Sequence, residues 1–71
     1  MIKKGDIIAP EEDGKLNHFT KDKMYKVRYA EQGNYGYQFH VTDDDGDVSV
    51  CRYPGICSQL KNSGQWRIVR R

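Results

Sequence analysis

The stretch that decides the fold is "YQFHVTDDDGDVSVCRY", residues 37–53. Apolar and polar residues alternate before the aspartates, and they alternate again after them, beginning at Val48. Strict alternation puts successive side chains on opposite faces of a strand, so each half predicts a half-buried β-strand. The aspartates and glycine between the halves are typical of a turn, because aspartate bonds nearby backbone amides and glycine accepts positive φ. The stretch therefore predicts a β-hairpin.

Two registers compete for this hairpin. A four-residue loop, residues 43–46, puts Val41 opposite Val48 and Phe39 opposite Val50. A two-residue turn instead brings His40 opposite Cys51. We expect the four-residue loop, because it pairs apolar side chains twice and keeps two aspartates from facing each other.

The aspartate cluster does not match a calcium loop of the EF-hand type. With Gly46 as the sixth position of such a loop, the first position falls on Val41, which has no ligand atom. The cluster can instead be a solvated hairpin tip, a surface that contacts a protein partner, or a weak cation site. As a partner surface it consists of Asp43, Asp44, Asp45 and Asp47, with Tyr35 of the preceding turn as aromatic anchor. We predict no metal site and no cofactor.

The rest of the chain predicts three more strands. Residues 6–9 are a short β-type run, residues 24–29 alternate strictly, and residues 65–69 point Trp66 and Ile68 inward. The segment between the first two runs is polar and reads as a long loop, anchored only by a leucine and a phenylalanine.

Five short strands without a long helix predict an all-β fold. The expected architecture is a small five-stranded antiparallel SH3-like barrel with a long loop after strand 1, and an oligonucleotide/oligosaccharide-binding barrel is the alternative. A chain of 71 residues is short, so we expect a single domain, residues 1–71, with a small core.

The composition excludes several functions. No apolar run approaches the ~20 residues that cross a membrane, and no signal peptide is recognisable, so we expect a cytoplasmic protein. The one pair of side chains that resembles a nucleophile and its base is Cys51 with His40, which meet only in the less favoured hairpin register. No glycine-rich phosphate loop is present. We therefore expect the protein not to be an enzyme.

The two cysteines, Cys51 and Cys57, are expected to be reduced thiols that pack in the core. A disulfide needs an oxidising compartment, of which the sequence gives no sign. A zinc site would need both histidines as further ligands, and the spacing does not match a zinc finger.

Nucleic-acid binding is the alternative to protein binding. Twelve Lys and Arg against ten Asp and Glu give a net charge of +2, which does not require a polyanionic partner. The candidate residues are Arg28, Arg67, Arg70 and Arg71, together with lysines such as Lys4 and Lys26 if the fold gathers them on one face.

Several segments resemble a loose group of small proteins encoded by bacteriophages and prophages. These segments are "FTKDKMYKV" at residues 19–27, "VTDDDGDVSV" at residues 41–50 and "GQWRIV" at residues 64–69. The resemblance implies an SH3-like barrel and a viral accessory role in the host bacterial cytoplasm. Such a protein would bind and modulate or inhibit a host protein, for example a polymerase, a nuclease or a defence component. A structural or virion component is a further alternative, which self-association would reveal.

Overall fold

A computed structural model of the protein describes residues 1–71. Six strands follow one another: β1 (Ile7–Pro10), β2 (Tyr25–Lys26), β3 (Tyr29–Gly33), β4 (Gly36–Thr42), β5 (Val48–Tyr53) and β6 (Trp66–Arg70). A short 3-10 turn, Lys15–Asn17, lies in the long loop between β1 and β2. The structure has no helix with the length and hydropathy that crossing a membrane requires.

The strands form two antiparallel sheets of three strands each, in the orders β2-β1-β6 and β3-β4-β5. The all-β prediction is therefore confirmed. The prediction of a closed five-stranded barrel is wrong, since there are six strands and no ladder of hydrogen bonds joins the two sheets.

The additional strand arises because residues 24–29 divide between the two sheets. The Val27 N–H donates to the Asp6 carbonyl beside β1 at 2.9 Å, whereas the next N–H, of Arg28, donates to the His40 carbonyl in β4 at 2.8 Å. Consecutive amides thus bond to different sheets. One periodic run in the sequence becomes two strands because the chain crosses between the sheets at this point.

Both predicted registers of the central hairpin are wrong. Thr42 pairs with Val48 across a five-residue loop, residues 43–47. Because side chains alternate between the faces, this register puts Cys51 into the core and leaves the valines of β5 on the outer face. The loop has five residues because the carboxylate of Asp43 bonds two of its backbone amides, as described below.

The core is centred on Trp66, which is 2% exposed. Its ring meets Phe19, Tyr25 and Phe39 edge-on, with centroid distances of 5.0, 5.7 and 5.5 Å. Such edge-to-face contacts are a favoured geometry for aromatic pairs. Of the two apolar residues predicted to anchor the long loop, only Phe19 is buried, whereas Leu16 is 96% exposed.

Candidate binding groove

A groove of about 880 Å³ opens where β2 passes the C-terminal end of β4. It is lined by the turn at residues 4–5, by residues 23–28 and by residues 42–44. The groove exists because the sheets do not close: β2 is an edge strand, and β4 continues beyond the last residue that pairs with β3. A concave surface of this kind is the default position for a ligand or partner.

Asp44 fixes one border of the groove. Its carboxylate accepts hydrogen bonds from Thr20 Oγ1 at 2.7 Å, Lys23 Nζ at 2.7 Å and Tyr25 Oη at 2.9 Å. Its own N–H donates to the His18 carbonyl at 2.8 Å. Burial of the carboxylate opposes ionisation, but the bonds from Lys23, Thr20 and Tyr25 outweigh it and lower the pKa of Asp44. This side chain ties the long loop to the hairpin tip.

Asp43 holds the hairpin loop itself. Its carboxylate accepts hydrogen bonds from the N–H of Asp45 at 3.0 Å, the N–H of Asp47 at 2.9 Å and the hydroxyl of Ser49 at 3.0 Å. Burial of the carboxylate would raise its pKa, but the bonds from Asp47, Ser49 and Asp45 lower the pKa of Asp43. Asp43 is therefore a loop-stabilising residue rather than a free acid.

The two other aspartates of the tip are available to a partner. Asp45 and Asp47 are exposed, and neither carboxylate takes part in a hydrogen bond or an ion pair within the chain. Tyr35 is 90% exposed, in the turn between β3 and β4. That turn and the aspartates lie at opposite ends of β4, which are about 20 Å apart for a seven-residue strand. The structure does not bring Tyr35 and the acidic tip together.

Positive charge lines the rest of the groove. Lys4, Lys26 and Arg28 are exposed there, and none of the three is in an ion pair. The Arg28 guanidinium donates to Thr42 Oγ1 at 2.9 Å, which holds it across the groove. Arg70 stands opposite Ile7 on the side away from Lys26, and it does not line the groove.

The remaining predicted nucleic-acid residues have partners inside the chain. Arg67 forms an ion pair with Asp22 at 2.9 Å. Arg71 donates to the Met1 carbonyl at 2.6 Å and lies 3.9 Å from the buried Asp6 carboxylate. The structure therefore does not gather the four arginines into one free surface, and only Arg28 lines the groove.

His40 does not meet Cys51. It stands opposite Val50 in the sheet and packs its ring against Tyr29, with centroids 5.1 Å apart. Cys51 stands opposite Phe39, on the buried face. No group of three or more His, Cys, Asp and Glu side chains is placed to hold a metal ion.

The buried thiols of Cys51 and Cys57 are neighbours in the core and form no disulfide. The Trp66 Nε1 is buried near the Cys57 sulfur and has no hydrogen-bond partner in the chain. Donation from the Cys51 thiol lowers the pKa of Cys57, although burial opposes this. The same contact and burial raise the pKa of Cys51.

These contacts predict that the Cys57 thiol ionises more readily than an ordinary cysteine. Thiolate absorbance should develop at a lower pH than for an ordinary cysteine, and Cys57→Ser should remove this transition while Cys51→Ser shifts it upward. Thiolate absorbance that develops only above about pH 8, the range of an ordinary cysteine, would contradict the assignment.

Comparisons with protein-family models, with curated proteins and with solved structures found no match to this chain. The function proposed below therefore depends on the chain's own surface and on the sequence resemblance described above.

Proposed function

We propose that this protein is a non-enzymatic accessory protein that binds another protein and modulates or inhibits it. The contact surface consists of the groove and the adjoining hairpin tip. The observation that carries the proposal is the distribution of unpaired charge. Lys4, Lys26 and Arg28 lie in the groove, and Asp45 and Asp47 lie beyond the border that Asp44 forms. A protein partner can offer acidic groups to the groove and basic groups to the hairpin tip at the same time, and such complementary charge gives an interface its specificity.

The resemblance to small bacteriophage and prophage proteins supports a host protein as the target. A polymerase, a nuclease or a defence component would fit that role. The chain is short, so the partner supplies the activity that is changed, and this protein supplies the contact. Binding to the groove requires no chemical step from the small protein itself.

Nucleic acid is the competing partner, and the three unpaired cations of the groove favour it. A phosphate backbone carries one sign of charge throughout, however, and along the groove it would pass from the cations to Asp43 and Asp44. Arg67 and Arg71 would also have to leave their internal partners. A protein partner need not place negative charge against Asp43 and Asp44, and it need not break the internal contacts of Arg67 and Arg71, so we favour a protein partner.

Capture from a bacterial lysate tests the proposal. Immobilised protein is exposed to nuclease-treated lysate, and the retained proteins are quantified by mass spectrometry. We expect one stoichiometric host protein, whose retention falls about tenfold or more for Lys26→Glu with Arg28→Glu, and likewise for Asp45→Lys with Asp47→Lys.

The matched control for Lys26→Glu with Arg28→Glu is Lys15→Glu with Lys61→Glu, which makes the same change in net charge at two exposed lysines outside the groove. This variant should retain the host protein as the unsubstituted chain does. Equal retention by all variants would contradict the groove as contact surface. Retention that appears only when nuclease is omitted would favour nucleic acid instead.

A further inference from the structure

The outer face of the second sheet is a separate surface, whose residues follow from the strand register. Side chains that stand opposite each other in a sheet share a face. Phe39 and Cys51 are opposite each other and buried, so their neighbours in β4 and β5 point outward. One outward row across the three strands is therefore Tyr29, His40 and Val50, and another is Glu31, Gln38 and Arg52.

The first of these rows has an aromatic and an aliphatic side chain on either side of His40 and is only partly covered. Tyr29 and Val50 are each 46% exposed, and Val48, which pairs with Thr42 on the same face, is 51% exposed. Exposed valines beside an exposed aromatic ring form the kind of patch that another protein surface covers. The five-residue hairpin loop creates this face, because a loop shorter or longer by one residue would turn the valines inward.

The second row carries opposite charges at its two ends, Glu31 on β3 and Arg52 on β5. Neither belongs to the three ion pairs of the chain. The Glu31 carboxylate accepts only a hydrogen bond from the hydroxyl of Tyr29, at 3.1 Å. Two unpaired charges of opposite sign thus flank the middle strand, one on each side.

We propose that this face binds a second copy of the same chain. A two-fold axis parallel to β4 places β3 of one copy over β5 of the other. Glu31 then faces Arg52 of the second copy, Arg52 faces Glu31 of the second copy, and Tyr29 covers Val50. The face is self-complementary under this rotation, which is the condition for a closed two-fold dimer.

The size of the face limits the strength of the dimer. Three strands span about 10 Å between their outer axes, and the six-residue β5 runs about 17 Å, so each copy contributes less area than a standard interface needs. We therefore expect a weak dimer that forms only at high protein concentration. The groove shares Thr42 with the edge of this face, but neither Glu31 nor Arg52 lines it, so substitutions at these two residues test dimerisation separately from the proposed partner binding.

Sedimentation equilibrium between about 10 μM and about 1 mM tests the dimer. The unsubstituted chain should dimerise in this range. Glu31→Arg alone places like charges at both contacts, as does Arg52→Glu alone, so each should weaken self-association about tenfold. An equimolar mixture of the two variants should restore dimerisation, because a heterodimer regains two opposite-charge contacts.

The controls are Glu11→Arg and Arg70→Glu, which make the same charge changes away from this face. Amide NMR spectra establish that every variant is folded. A chain that stays monomeric at the highest concentration would overturn the proposal. So would a mixture that associates no better than its components, or controls that weaken association as much as the variants of the face.

Discussion

Replacing Trp66 with alanine is expected to unfold a large fraction of the protein at 25 °C. The indole ring is the common contact of Phe19, Tyr25 and Phe39, which surround it edge-on at centroid distances of 5.0 to 5.7 Å. Truncating a buried aromatic residue to alanine costs about 3 to 5 kcal/mol. A domain this small has a core that supplies only about 3 to 5 kcal/mol of stability, so little would remain.

Urea unfolding followed by amide NMR measures this effect, since Trp66 is the only tryptophan and its fluorescence disappears with it. Trp66→Phe keeps a ring in the cluster and should be clearly less destabilising. Val69→Ala is the control on the same strand, because Val69 is 46% exposed and its truncation should change stability by about 0.5 kcal/mol or less. Equal stability of Trp66→Ala and Val69→Ala would contradict the central place of the indole.

Replacing Asp44 with alanine is expected to cost about 2 kcal/mol, the second-largest effect. The substitution leaves Thr20, Lys23 and the hydroxyl of Tyr25 without their common acceptor. The Tyr25 hydroxyl is the most affected, since Tyr25 is 6% exposed. Asp45→Ala is the matched control, because its carboxylate has no partner in the chain and its loss should change stability by about 0.5 kcal/mol or less.

The same carboxylates give stability a dependence on pH. The pKa values of Asp43 and Asp44 are lowered in the folded protein from an ordinary value of 3.8. A lowered pKa adds stability that is fully present above 3.8 and is lost as the pH falls through the folded-state values. Urea midpoints should therefore decline below about pH 4, and Asp43→Asn with Asp44→Asn should flatten that decline. Equal declines of the urea midpoint in the unsubstituted chain and in this double variant would contradict the role of the two carboxylates.

The strands could be predicted from the sequence because alternation is a local signal. The alternation in residues 37–42, 48–51 and 65–69 predicts strands without any tertiary information, and the structure has a strand in each place. The hairpin register could not be predicted in this way. Apolar pairing favoured a four-residue loop, but the hydrogen bonds from two amides and a serine to Asp43 favour five residues. The change turned Val48 from an expected core residue into a surface residue.

The candidate site was only partly visible in the sequence for a related reason. Asp44 and Arg28 were candidates by charge, and both line the groove. The groove itself depends on where the chain crosses between the sheets, at Val27 and Arg28, and a periodic run does not mark that point. The hydrogen bond of Asp44 to Thr20 joins residues 24 apart, which only the tertiary fold brings together.

Site-specific photo-crosslinking tests the groove as contact surface most directly. A benzophenone amino acid replaces Met24, which lines the groove and is 62% exposed, or Ile56, which lies outside it and is 69% exposed. After irradiation in a bacterial lysate, the proposal predicts one host protein joined to position 24 and none joined to position 56. The proposal would be contradicted if a host protein were joined to position 56 and not to position 24, or if position 24 were joined only to nucleic acid.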